Sequence, residues 1–249
     1  MSLDQHTVPR STVRLALLAP LGAGLFTLAL LVFGFVSPGY PLFDMVIETY
    51  SPVSQPISGL GLGVTAPWMN AAFIVCGVLV AAGVLSASRT WPRAPRPRAR
   101  LAAQLLLTAS GLGVSICGLF DLEAVMPHLL GFLLAVGAPT IGFVLAGVTL
   151  RQVDPLASRW LLVAGPLTLV LLVTFMATFD PMAAADDVGF AGLTQRLLVT
   201  ITLATTGLLG YRAATPIGTS AHTPTGLTAR EANDGFVGVL KRDPKRGTR

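Results

Sequence analysis

The chain has 249 residues, of which 53% are hydrophobic and only 12% charged, against roughly 25% charged in ordinary globular proteins. The net charge of +5 sits between apolar runs instead of on one continuous patch, which argues against a soluble domain and against a nucleic-acid partner. Two cysteines, Cys76 and Cys117, fall inside apolar runs in no metal-binding spacing.

Runs of about 20 apolar residues set the reading frame, because that length spans a hydrocarbon core of ~30 Å. The first extends from Arg14 to Val36. It exceeds the about 7–15 apolar residues of a signal peptide, and no small-x-small cleavage site follows it, so a retained helix is expected. Pro20 predicts a kink in its first turns. The next segment, Ser37 to Ala66, holds Pro38, Pro41, Pro52 and Pro56 with Gly39, Gly59, Gly61 and Gly63. Such a backbone cannot cross lipid without partners for its polar groups. It is expected to form a long outer loop that packs over the bundle as a cap. Its centre, Leu42 to Tyr50, is amphipathic enough for a short interfacial helix.

Five more spans follow. The second covers Pro67 to Ser86 and opens on Trp68, an interface residue. An arginine-rich connection, Ser88 to Arg100, leads to the third, Leu101 to Phe120. A tight link, Asp121 to His128, leads to the fourth, Leu129 to Leu150, which contains Pro139. The fifth is Trp160 to Phe179, interrupted by Pro166, and the sixth is Leu193 to Tyr211. Small residues repeat at i+4 in Ala109, Gly113 and Cys117, in Gly77 with Ala81, in Gly142 with Ala146 and in Thr206 with Gly210. That spacing lets helices approach closely in lipid. Cys76 and Cys117 differ in depth by roughly 9 Å at 1.5 Å per residue, too far for a disulfide, and read as small buried hydrophobes.

Every basic residue except Arg196 falls before or at the very start of the first span, in the second or fourth connection, or after the sixth span. Asp44, Glu48, Asp121, Glu123, Asp180, Asp186 and Asp187 fall in the odd connections. The positive-inside rule then places both termini in the cytoplasm. The expected architecture is an all-α, integral membrane six-helix bundle with a long outer loop between helices 1 and 2. It comprises a cytoplasmic tail over 1–13, the transmembrane domain over 14–212, and a disordered basic tail over 213–249.

No soluble-enzyme motif is present, and none that implies a cofactor. Gly59-Leu-Gly-Leu-Gly63 only loosely matches a phosphate loop, following no strand and lacking the lysine. The polar residues that remain gather at the outer ends of the helices. Asp121, His128 and Asp180 are the candidate acid–base set of a membrane-embedded hydrolase or transferase. Glu48, Asn70, Glu123 and Arg196 are candidate ligand-binding residues. His128 also admits a structural reading, as a capping residue paired with a carboxylate. His6 and His222 lie in tails on the other side, so no metal site is expected. No nucleophile is evident beside His128. Arg196 is expected to form a salt bridge with Asp180, Asp186 or Asp187, or to seat a lipid phosphate. The second, third and fourth spans carry no charge, which disfavours an ion-coupled transporter, although Pro139 and Pro166 would free helix carbonyls for a transport path.

Three short segments carry a family resemblance. Tyr50-Ser-Pro-Val-Ser-Gln-Pro-Ile-Ser-Gly-Leu-Gly61 with Pro67-Trp-Met-Asn70, Gly118-Leu-Phe-Asp121 with His128, and Gly192-Leu-Thr-Gln-Arg196 resemble the DUF 998 family of prokaryotic multi-pass membrane proteins. The likeness extends from about Arg14 to Arg212. It implies a six-helix bundle in a prokaryotic plasma membrane and no established activity. Many members carry an acidic residue at the position of Gly59, so this chain lacks that charge. Together these readings point to a protein that binds a lipid, or a membrane-protein partner or second copy, at its outer face; an enzyme and a small-molecule or lipid transporter are the alternatives.

Overall fold

The computed structural model describes residues 10–92 and 95–215. Arg93, His6, His222 and the tail from residue 216 lie outside the described residues. Six helices are long and apolar enough to cross a membrane, the number the apolar runs predict. The first span is α1 (Arg10–Leu15) followed by α2 (Leu18–Val36). The break between them has the cause the sequence predicts. Pro20 has no N–H for the Ala16 carbonyl, which instead accepts from Ala19 N–H at 3.2 Å. The second and third spans are α3 (Ala66–Arg89) and α4 (Pro97–Leu119).

The fourth span has three parts: α5 (Val125–Phe132), a π-helical turn over Leu133–Gly137, and α6 (Ala138–Leu150). Pro139 cannot donate to the Ala135 carbonyl four residues earlier. Ser110 Oγ on α4 donates to that carbonyl at 2.6 Å. The fifth span, α7 (Pro155–Thr178), starts five residues before the first apolar residue of its run. Asp154 explains the early start: its carboxylate accepts from Ala157 N–H at 3.0 Å, with Pro155 at the first helical position. A short α8 (Pro181–Ala185) precedes the sixth span, α9 (Ala191–Ala214).

The spans form a ring in chain order, each packed on the next, and α9 closes it against α2. Small residues set the spacing. A side chain at Gly77 would collide with Gly111 and Ser115 of α4, and one at Gly210 with Ala16 and Ala19 of the first span. Both thiols are free and buried, as expected. The outside of the ring is apolar: Leu31, Phe35 and Val170 are among many large side chains left exposed, which suits lipid and not water. Inside, Thr168, Thr202 and Thr206 are buried and return their hydroxyls to carbonyls of their own helices at 2.7–2.9 Å.

The connections alternate between two ends. One end carries residues 90–92, 95–96 and 151–154, and there Arg212 and Asp154 make a two-pronged ion pair at 2.8 and 2.9 Å. The other end carries the cap, residues 37–65. Here the expected interfacial helix is corrected. Residues 40–47 form an antiparallel hairpin of β1 (Tyr40–Leu42) and β2 (Met45–Ile47). Pro41 disfavours a helix, and the burial runs with period two: Tyr40, Leu42 and Ile47 turn inward while Pro41 and Val46 face out. Phe43, at the turn, has φ +51°. Among the described residues the regular structure is therefore helical apart from this hairpin. Gly59 to Gly63 form no phosphate loop; they lie in short 3-10 turns, Ile57–Gly61 and Gly63–Thr65.

Candidate functional site

The polar side chains at the cap end divide into one buried pair over a cavity and a set of fasteners. The pair is Ser58 and His128. Ser58 stands in the 3-10 turn of the cap and His128 in the first turn of α5, and both are buried. His128 Nδ1 lies 2.8 Å from the Phe120 carbonyl, and Nε2 lies 2.8 Å from Ser58 Oγ. A carbonyl only accepts, so Nδ1 carries the proton; in the neutral ring Nε2 then accepts from the Ser58 hydroxyl. A third group thus orients the imidazole, and the imidazole in turn holds a hydroxyl.

Gln195 of α9 completes the group. Its Oε1 accepts from Ile57 N–H at 2.6 Å, which fixes the amide so that Nε2 carries its hydrogens free of any partner among the described residues. Ser58, His128 and Gln195 line a cavity of 200 Å³ between the hairpin, α5 and α7. The rest of its wall is apolar and includes Leu42, Phe43, Leu129, Phe132, Phe175 and Phe179. The rings of Phe132 and Phe175 lie 5.3 Å apart, and those of Phe175 and Phe179 stack at 5.3 Å. Val125 and Met176, also on the wall, are exposed on the outside of α5 and α7. Ser58, Phe132 and Gln195 also border a smaller cavity of 40 Å³ that reaches inward to Ser110 and Thr206.

The fasteners hold the cap to the spans. Arg196 donates to the Gln55 and Gly192 carbonyls, each at 3.0 Å, and to the Tyr50 hydroxyl, with its guanidinium 5.5 Å from the centre of the Tyr50 ring. Burial pushes the Tyr50 phenol above its ordinary value, against the pull of the Arg196 charge and hydrogen bond. Burial does the same to Tyr40. Asn70 Nδ2 donates to the Gly61 carbonyl at 3.0 Å, and the Glu123 carboxylate accepts from Phe43 N–H at 2.9 Å. Ser54 Oγ donates to Asp187 at 2.6 Å. The opening N–H groups of α9, at Gly192 and Leu193, donate to the Ser54 and Val53 carbonyls at 3.2 and 2.8 Å.

The structure does not gather Asp121, His128 and Asp180 into one hydrogen-bonded set. Asp121 accepts from Glu123 and Ala124 N–H at 3.1 and 3.3 Å, and Asp180 caps α8 through Met182 and Ala183 N–H at 2.9 and 3.4 Å. Both ring nitrogens of His128 are taken by Phe120 and Ser58. Asn70, Glu123 and Arg196 all grip the cap, whereas Glu48 is exposed and its carboxylate accepts no hydrogen bond among the described residues. The expected salt bridge of Arg196 with Asp180, Asp186 or Asp187 is absent among the described residues, because cap carbonyls and Tyr50 occupy its donors. A hydroxyl that the sequence does not single out, that of Ser58, stands beside His128. No group of three His, Cys, Asp or Glu side chains that would hold a metal occurs among the described residues.

Ser58, His128 and Gln195 belong to three separate sequence segments that meet only at the cap. The family model described as "Protein of unknown function (DUF998)" spans these segments and matches residues 20–212. The chain belongs to the DUF998 family. No curated protein and no solved structure matches it. This DUF998 protein is a multi-pass membrane protein, with six helices among the described residues long and apolar enough to cross a membrane. At Gly59 its cap leaves no room for a larger residue, since a side chain there would run into the Tyr40 ring.

Proposed function

We propose that this DUF998 protein binds lipid at the outer face of a prokaryotic plasma membrane, taking an apolar chain into the cavity beneath its cap. The observation that carries the reading is the lining of that 200 Å³ cavity: among the described residues it is aromatic and aliphatic apart from Ser58, His128 and Gln195. Apolar cavities of about 150 Å³ accept benzene-sized molecules. This one therefore suits a segment of an acyl or alkyl chain, with the rest of the lipid outside. Exposed Val125 and Met176 mark an entrance between α5 and α7 from the lipid side.

Orientation follows from the arginines. Arg89, Arg96, Arg98, Arg100, Arg151, Arg159 and Arg212 belong to the end opposite the cap, so the positive-inside rule turns the cap outward. Membrane lipids are then the partners, and the apolar rim leaves room for a membrane-protein partner or a second copy beside them.

Native mass spectrometry of the detergent-purified protein tests the reading. The wild type is expected to retain a lipid adduct that Leu129→Trp, which fills the cavity, loses. A wild type without adduct, or an adduct indifferent to Leu129→Trp, overturns it.

A further inference from the structure

We infer that Ser58 and His128 form a nucleophile–base pair acting on the carboxylic ester of a lipid whose acyl chain occupies the cavity. The inference rests on the lipid-binding reading above and assigns chemistry to the same site. Three features carry it. The Ser58 hydroxyl and His128 Nε2 are 2.8 Å apart, within proton-transfer reach. Nδ1 is held at 2.8 Å by the Phe120 carbonyl, which fixes the tautomer with Nε2 as the base and stabilises the ring when it becomes positive. Gln195 supplies, on the same wall, an amide donor that has no partner among the described residues and is suited to a developing oxyanion.

Depth agrees. His128 lies three residues into the fourth span, about 5 Å along the helix at 1.5 Å per residue. The polar headgroups flank the ~30 Å hydrocarbon core that such spans cross, so the ester of a lipid belongs near the end of a span. A lipid with its chain in the cavity places its ester there.

The step balances as follows. Ser58 Oγ bonds to the ester carbonyl carbon while its proton passes to Nε2. The tetrahedral adduct collapses, the bond from carbon to the alkoxy oxygen breaks, and Nε2 returns the proton to the leaving alcohol. The acyl group is then on Ser58. Water, entering from the cap side, gives one proton to Nε2 as its oxygen bonds to the acyl carbon; the bond from that carbon to Ser58 Oγ then breaks, Nε2 returns the proton to Oγ, and the carboxylic acid leaves and ionises by losing its proton to solvent. An acceptor alcohol in place of water would give transfer instead of hydrolysis.

The test treats the full-length protein in proteoliposomes with two probes: a decyl fluorophosphonate, and a phosphatidylcholine carrying a photoactivatable acyl chain. Peptide mapping of the wild type is expected to find the phosphonyl group on Ser58, and photolysis to crosslink the lipid to α5 or α7. His128→Gln is expected to slow phosphonylation by about 100-fold or more while leaving the crosslink in place; Ser58→Ala abolishes phosphonylation. Crosslinking without phosphonylation of wild-type Ser58 overturns the nucleophile and leaves lipid binding standing. Phosphonylation unaffected by His128→Gln overturns the base. Absence of both signals overturns the lipid-binding reading as well.

Discussion

The hydroxyl of Ser110 replaces the donor that Pro139 lacks: it meets the Ala135 carbonyl at 2.6 Å, across the interface between α4 and the fourth span. A carbonyl left bare in lipid has no water to turn to. Ser110→Ala is therefore expected to destabilise the bundle by about 1–2 kcal/mol. Pro139→Ala restores an N–H to the same helix, so Ser110→Ala should cost less in that background. A double-mutant cycle by detergent denaturation checks this; strictly additive effects would show that the two residues act independently.

Arg196→Lys is expected to loosen the cap. A lysine ammonium cannot reach the Gln55 and Gly192 carbonyls and cover the Tyr50 ring at once. Proteolysis within residues 51–56 should accelerate about tenfold, equivalent to about 1.4 kcal/mol. An unchanged cleavage rate would remove Arg196 as the principal fastener.

Asp154 has two roles that substitution can separate. Its carboxylate caps α7 and takes both prongs of Arg212, with side chains only 17% and 22% exposed. Asp154→Asn keeps the cap and weakens the ion pair, for an expected loss of about 1 kcal/mol; Asp154→Ala loses both, for about 2–3 kcal/mol. Unfolding in a graded series of SDS mole fractions measures the difference.

The connection between α8 and α9 should detach from the cap in acid. Hydroxyls of Ser51 and Ser54 hold the Asp187 carboxyl below its ordinary value of 3.8. A carboxyl lowered by folding contributes its stabilisation above the unfolded value and loses it as pH falls through the folded one. Hydrogen exchange across residues 179–190 is therefore expected to lose protection below about pH 4. Asp187→Asn, which tolerates the positive φ of 56° at this position, should abolish that pH dependence.

Spans were legible because lipid imposes one rule on the whole segment, and a run of apolar residues expresses it directly. Their ends were less so. α7 starts at Pro155 because Asp154 caps it and meets Arg212, a contact between residues 58 apart that no local pattern announces. The hairpin escaped because Leu42, Ile47 and Tyr50 are compatible with either an inward-facing strand pair or one face of a helix, and only Pro41 argued between them. Ser58 stood unnoticed 70 residues before His128, in a stretch rich in serine, glycine and proline where no single hydroxyl stands out. Gln195 is an uncharged amide beside the charged Arg196, and no local pattern marks it. Arg196 itself was matched to carboxylates because charge is visible in sequence; the backbone carbonyls that hold it are present at every residue and so mark none.

Ring order has a consequence for biosynthesis. The chain emerges N-terminal end first, so α2 reaches the membrane well before α9, the partner that closes the seam beside it. The cap is made equally early, yet Gln55 waits for Arg196, 141 residues downstream. Until the last span inserts, a nascent chain of five spans has an open seam, an unfastened lid and no Gln195 on its cavity wall. A chaperone or protease that surveys unfinished bundles has in that seam a mark distinguishing an incomplete copy from a finished one.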